Sequence, residues 1–96
     1  MKIRYATIED ADEIFKIEQN VFKDYWSLKS IKSEFLNSKH TFISVLEVEN
    51  NIIGYIFQRI IYNQSHIINL AIDVPFQHRG YGKFLLKNTL EKDSHD

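Results

Sequence analysis

Asn69-Leu70-Ala71-Ile72-Asp73-Val74-Pro75-Phe76-Gln77-His78-Arg79-Gly80-Tyr81-Gly82-Lys83-Phe84-Leu85-Leu86 is the stretch that decides the reading of this chain. It runs as a buried strand, a short polar loop and an amphipathic helix. The apolar residues ahead of Asp73 suit a strand covered on both faces. Pro75 has no N–H to donate and cannot continue a ladder. Gly80 and Gly82 lack a Cβ, so the backbone there takes unusual dihedrals and a ligand can approach closely. Tyr81, Leu85, Leu86 and Leu90 then recur at helical spacing. The first-turn N–H groups of such a helix have no partner inside it. Their aligned dipoles favour anions, above all phosphates. Arg79 and Lys83 would add full positive charge.

Spacing separates the glycine-loop families that share this logic. A dinucleotide fingerprint needs a third glycine where this chain has Leu85. A P-loop needs Gly-Lys-Ser/Thr, and here Gly82-Lys83 precedes Phe84. What remains is Gln77-His78-Arg79-Gly80-Tyr81-Gly82, a Q/R-x-x-G-x-G/A loop; its plain alternative is a loop with two turn glycines. Between a strand and a helix, the pattern resembles the acetyl-coenzyme A pyrophosphate loop of the GNAT superfamily of N-acetyltransferases. The resemblance implies that loop amides hold the pyrophosphate and that the preceding strand hydrogen-bonds the pantetheine arm. Carried over residue by residue, the strand contacts fall on Leu70, Ala71 and Ile72. The loop contacts fall on His78, Arg79, Gly80, Tyr81, Gly82 and Lys83. Gln77 belongs to the same loop and reads as the residue that orders it.

Ninety-six residues suggest one domain with a modest core. Hydrophobic residues make up 44% and aromatics 14%, as in a globular protein. The formal charge of −1 supplies no field for nucleic acid or an anionic membrane. There is no cysteine, so neither a disulfide framework nor a thiolate nucleophile is available, and no metal is expected. Met1-Lys2-Ile3-Arg4 runs into Glu9-Asp10 without the apolar core of a signal peptide, and no run approaches membrane-spanning length. A soluble cytoplasmic protein is expected, in which the Asn63-Gln64-Ser65 sequon is a coincidence.

Residues 2–6 read as a short half-buried strand with Ile3 and Tyr5 on one face. Thr7 caps a helix whose apolar face is Ile8, Ala11, Ile14, Phe15, Ile17, Val21 and Phe22. Ser27 caps a second helix with Leu28, Ile31, Phe35 and Leu36 inside. Residues 37–40 are a polar break. Residues 41–49 and 52–62 read as strands joined by an Asn50-Asn51 turn, with Gly54 marking a bulge. Asn63-Gln64-Ser65 turns into a strand over residues 66–72, and the last helix covers about residues 82–91. The fold class is therefore α+β, layered, with a mostly antiparallel sheet flanked by helices in the order β-α-α-β-β-β-α. That order is similar to the GNAT core up to its cofactor helix, without the C-terminal strands and helix.

The first half resembles the ribosomal-protein alanine N-acetyltransferase branch, the RimI type. The resemblance rests on Ile17-Glu18-Gln19, Phe22, Trp26-Ser27, Phe35, Ile53-Gly54-Tyr55 and Asn69-Leu70-Ala71-Ile72. Asp24-Tyr25 departs from it, since that branch usually has proline just before the tryptophan, and Pro75 sits one place late. Trp26 has packing beneath the helices as its plain alternative, and Tyr25 reads as surface. Glu18 reads equally as a solvated helix residue or as part of the groove.

The resemblance implies acetyl transfer from acetyl-coenzyme A to a primary amine, a protein N-terminal α-amino group first, with other small primary amines as further acceptors. The alternative is a non-catalytic coenzyme A-binding or protein-interaction module of the same fold. Relatives continue with another strand, another helix and a hairpin. The glutamate base and tyrosine acid proposed for the RimI branch lie in that continuation, so no catalytic residue is assigned. His66 reads as a polar residue near a turn, His78 as a contact to phosphate or solvent, and Tyr81 as a packing residue. His40 and His95 have no chemical role to fill. Without a following strand, residues 66–72 form an open sheet edge, and a homo-oligomer through that edge or around the last helix is expected unless the helix covers it.

Overall fold

Two left-handed turns fold the middle of the chain into a meander. The computed structural model, which describes residues 1–36 and 39–93, has positive φ at Glu49 (52°) and Asn50 (67°), and again at Tyr62 (49°) and Asn63 (63°). Paired positive φ values mark the hairpin turns whose twist matches that of the strands they join. Strands β2 (Thr41–Val48), β3 (Asn51–Ile61) and β4 (Gln64–Ile72) follow one another, and β1 (Lys2–Tyr5) pairs with the far side of β2. The sheet order is β1-β2-β3-β4, with every neighbour antiparallel.

Both turns start one residue earlier than the sequence suggests: Glu49-Asn50 replaces Asn50-Asn51, and Tyr62-Asn63 replaces residues 63–65. Asn50 and Asn63 do tolerate the left-handed region, but each occupies the second central position of its turn. In the first hairpin a bulge hides this shift. Leu46 pairs with Gly54 while Glu47 pairs with Ile52, so Ile53 is the extra residue. A count by twos does not see an inserted residue. Gly54 beside it is where β4 comes closest, since a Cβ there would lie 2.5 Å from Ile72 Cδ1 and 2.9 Å from the Ala71 carbonyl oxygen.

A second bulge lies between β3 and β4. Phe57 pairs with Asn69 and Gln58 with Ile67, which leaves Ile68 as the extra residue. Ile68 and Asn69 then share one side of the sheet: Ile68 packs on its core and Asn69 reaches into the helix above.

That helix is α1 (Ala11–Val21), followed by α2 (Leu28–Leu36). Ala11, Ile14, Ile17 and Ile31 pack on Ile43, Val45, Tyr55, Phe57 and Ala71. On the opposite face Leu46, Ile53, Ile56 and Ile72 pack on Leu85 of α3 (Tyr81–Asp93). Helices thus cover both faces of one antiparallel sheet, an α+β arrangement.

Local hydrogen bonds mark the starts of the turn ahead of α1 and of α2. Thr7 N–H donates to Asp10 Oδ2 at 2.8 Å and Asp10 N–H to the Thr7 carbonyl at 2.9 Å, closing a short 3-10 turn, Ile8–Asp10, ahead of α1. The tighter turn leaves Ile8 40% exposed, off the apolar face expected of it. Ser27 Oγ accepts from Ser30 N–H at 3.0 Å and starts α2. Leu36 at its last position is exposed rather than inside. On α3 Leu90 is also exposed, because it lies ~140° around the helix from Leu85, whereas Thr89 lies only ~40° away. Thr89 is buried, and its hydroxyl donates to the Leu85 carbonyl at 2.9 Å. Of the polar break, residues 37–38 lie outside the described residues, as does His95.

Candidate functional site

The site forms where β4 runs into α3. Asp73 Oδ1 accepts from Val74 N–H at 2.9 Å and from Asn20 Nδ2 of α1 at 3.3 Å, so the strand end is tied to the helix above it. A single 3-10 turn, Val74–Phe76, follows, and Pro75 sits near its start where no donor is needed. Gln77 Nε2 donates back to the Ile72 carbonyl at 2.9 Å and closes the loop on the strand, the ordering role read for it from sequence. His78 (φ 65°) and Gly80 (φ 86°) are both left-handed. Successive turns of this kind make backbone concavities that hold anions.

Gly80 carbonyl accepts from Phe84 N–H at 3.0 Å, and α3 starts at Tyr81. The N–H groups of Tyr81, Gly82 and Lys83 therefore precede the first intrahelical bond. The loop borders a cleft of about 340 Å³, floored by Leu70, Ala71 and Ile72 and closed at one end by Gln77, His78, Gly80, Tyr81 and Gly82. Arg79 and Lys83 are exposed and stand outside this lining. The Arg79 guanidinium lies 6.0 Å from the centre of the Phe76 ring. Tyr81 packs against the same ring, 6.5 Å between centres.

Val21, Phe22 and Phe76 also line the cleft, and sequence reasoning passed over their part in it. Val21 and Phe22 sit at the end of α1, which the Asn20–Asp73 contact brings over the loop. His66 lies toward the other end of β4, exposed and opposite Arg59, outside the cleft.

Behind the cleft wall lies a buried carboxylate. Glu18, 1% exposed, takes hydrogen bonds from the Tyr55 hydroxyl, from Asn69 Nδ2 and from Trp26 N–H, the last at 2.9 Å. Burial pushes the Tyr55 phenol well above its usual range, and the bonded carboxylate adds to the shift, so Tyr55 stays a neutral donor. Trp26 meets the Phe57 ring edge-to-face at 5.3 Å, the packing role that was its plain alternative. Glu18 had a legible signal, because it stands four after Ile14 and three before Val21 on the apolar stripe of α1. A charge at such a position needs partners.

A second cleft of about 340 Å³ opens on the α1–α2 side of the sheet, lined by Trp26, Ser30, Ser33, Glu34, Arg59 and Ile68. Arg59 and Glu34 form an ion pair along it. Among the described residues no group of three or more His, Cys, Asp or Glu could hold a metal, and no helix is long and apolar enough to cross a membrane.

An antiparallel sheet covered on both faces, with a strand-loop-helix cleft at its edge, is the architecture of a GNAT-type domain. The acetyltransferase (GNAT) domain family matches residues 6–96, and the chain belongs to that family. It is 32% identical over 82 residues to a [ribosomal protein bS18]-alanine N-acetyltransferase of Haemophilus ducreyi, a match covering 81% of this chain and 52% of that protein. The crystal structure of the ribosomal-protein-S18-alanine N-acetyltransferase from Escherichia coli superposes with a TM-score of 0.89 at 20% identity, covering 96% of this chain and 58% of the other. The PaiA N-acetyltransferase of Thermoplasma acidophilum, solved in complex with coenzyme A, superposes with a TM-score of 0.79 at 18% identity, covering 98% of this chain and 72% of that one. The chain spans between about half and two thirds of the length of the curated relatives it matches.

Proposed function

We propose that this chain binds acetyl-coenzyme A in the cleft between β4 and α3 and serves transfer of its acetyl group to a primary amine, a protein N-terminal α-amino group first. The carrying observation is the cradle itself: left-handed His78 and Gly80 lead into the open first turn of α3, beside a trough floored by Leu70, Ala71 and Ile72. A diphosphate fits the amides of that turn, and a pantetheine arm fits the apolar floor. Arg79 and Lys83, exposed beside the cradle, are proposed as flanking charge for the phosphates. The solved Thermoplasma relative carries coenzyme A in the same fold. The Haemophilus relative is named for acetylating an alanine of a ribosomal protein, which favours an α-amine acceptor.

In the reaction, the amine nitrogen attacks the thioester carbonyl, a C–N bond forms and the C–S bond breaks. Coenzyme A leaves as a thiolate and takes up the proton that the amine gives up. An α-amino group, with a pKa of about 7.7–8.0, is partly deprotonated at neutral pH, whereas a lysine near 10.4 needs a stronger base. A backbone N–H of β4 is the proposed donor to the developing oxyanion.

A second reading, a non-catalytic coenzyme A-binding module, is favoured by the cleft lining, in which His78 and Tyr81 are the titratable side chains. One experiment separates the two. Chain, acetyl-coenzyme A and an alanine-starting peptide are mixed, free thiol is followed, and thermal stability is measured alongside. A ligand at 100 times its Kd stabilises the native state by about 2.7 kcal/mol, on the order of 10–20 °C for a chain of this size. Thiol release with stabilisation supports the enzyme, and stabilisation alone supports the module. No stabilisation at millimolar coenzyme A removes both.

A further inference from the structure

The Glu18 carboxylate is the convergence point of three elements other than its own. Tyr55 brings a hydroxyl from β3, Asn69 an amide from β4, and Trp26 a backbone N–H from the segment leading into α2. A backbone N–H and an amide NH₂ can only donate, so the two carboxyl oxygens of Glu18 serve them as acceptors. Burying a carboxyl group is costly, and a core of this kind would pack as well around an apolar side chain. Packing alone therefore does not account for Glu18.

Its location does. Asn69 lies in β4 between Ile68, which lines the second cleft, and Leu70, which lines the first. Trp26 lines the second cleft, and Phe22, whose N–H donates to the Glu18 carbonyl at 3.0 Å, lines the first. Glu18 borders neither cleft, but Phe22 of the first and Trp26 of the second are both hydrogen-bonded to it. The bulge at Ile68 turns Asn69 toward α1 and so makes the contact available.

We propose that Glu18 is a positioning residue: through Asn69 and Trp26 it holds the β4 bulge and the α1–α2 segment at one fixed separation, so that a group carried in the first cleft meets one presented at the second. The inference rests on the reading that the first cleft takes coenzyme A. Glu18 acts on alignment rather than on affinity, because the diphosphate cradle of His78, Gly80 and the first turn of α3 makes no bond to it.

Trp26 is the single tryptophan of the chain, so its emission reports on this network directly. The test titrates coenzyme A into the wild-type chain and into Glu18→Gln and Asn69→Ala, with calorimetry for affinity and tryptophan fluorescence for the network. Gln keeps the shape of Glu but turns an NH₂ toward donors. Asn69→Ala cuts only the β4 arm and leaves the carboxylate two donors, so it carries the test if Glu18→Gln does not fold. The expected result is a Trp26 emission change in the wild type that both variants lose, with coenzyme A affinity within about threefold and kcat toward an alanine-starting peptide down about 100-fold, the scale of a 1 Å misalignment. The pair Glu18→Gln with Asn69→Asp restores a donor facing an acceptor and recovers part of kcat. Loss of affinity and kcat in proportion to the folded fraction would make Glu18 merely structural and overturn the proposal, as would an unchanged emission response and kcat. Absence of coenzyme A binding by the wild type appears before any substitution, and it overturns the cofactor reading itself.

Discussion

A methyl group at Gly82 separates the fold from its ligand. Gly82 does not occupy the left-handed region, and a Cβ built there meets Ile72 Cγ1 at 3.6 Å, an ordinary contact. Alanine in a helix is better than glycine by about 0.5–1 kcal/mol. Gly82→Ala should therefore leave the fold intact or raise its melting temperature by about 2–8 °C. The ligand meets the opposite situation. Gly82 lines the cleft, so the methyl takes up space at the end where the proposed phosphate oxygen has to come within hydrogen-bond distance. Losing one hydrogen bond to a charged group costs about 1.5–3 kcal/mol, which is a Kd increase of about 10- to 100-fold. Gly82→Val adds bulk on the same side and should lower affinity further. Calorimetric titration with coenzyme A, beside scanning calorimetry of the free chain, reads both quantities. Unchanged Kd in both variants would mean that Gly82 is only a turn residue. Affinity and melting temperature falling together would mean that the glycine serves packing.

Three further outcomes test the framework around the site. The Arg4 guanidinium donates to both oxygens of Asp10 at 2.8 and 2.9 Å and holds that carboxyl below its usual range, against partial burial. A depressed folded pKa stabilises above the unfolded value of about 3.9 and is lost as pH falls through the folded value, so melting temperature should drop on acidification below about pH 4 and Asp10→Asn should flatten that drop. Gly54→Ala forces a methyl against Ile72 and the Ala71 carbonyl and should cost about 1–3 kcal/mol by denaturant titration; a smaller loss would mean that β4 yields freely. The outer edge of β4 has no partner strand among the described residues, and Ile67 on that strand is exposed. Sedimentation should show concentration-dependent association that Ile67→Lys weakens, and a single monomeric species at high concentration would contradict it.

The loop was legible because its chemistry is local: Gly80 and Gly82 lack Cβ, Pro75 stops a ladder, and the helical spacing of Tyr81 and Leu85 follows at once. The layered α+β fold was legible for the same reason, from capping at Ser27 and from apolar runs in the strands. The shifted turns were not, because the extra residues Ile53 and Ile68 are set by pairing across the sheet. Leu36 and Leu90 continue an apolar pattern in sequence, yet among the described residues each lies where its helix has no neighbour to cover it. Glu18 is the instructive case. Its place on the apolar stripe of α1 signals a buried charge, but its partners Tyr55 and Asn69 lie 37 and 51 residues away. Only the folded chain brings them together.

The most direct measurement is a structure of this chain with coenzyme A. The diphosphate should lie within about 2.7–3.2 Å of N–H groups among Gly80, Tyr81, Gly82 and Lys83, with the pantetheine arm along Leu70, Ala71 and Ile72. Coenzyme A seated elsewhere on the molecule, or an empty cleft at saturating ligand, would contradict the account.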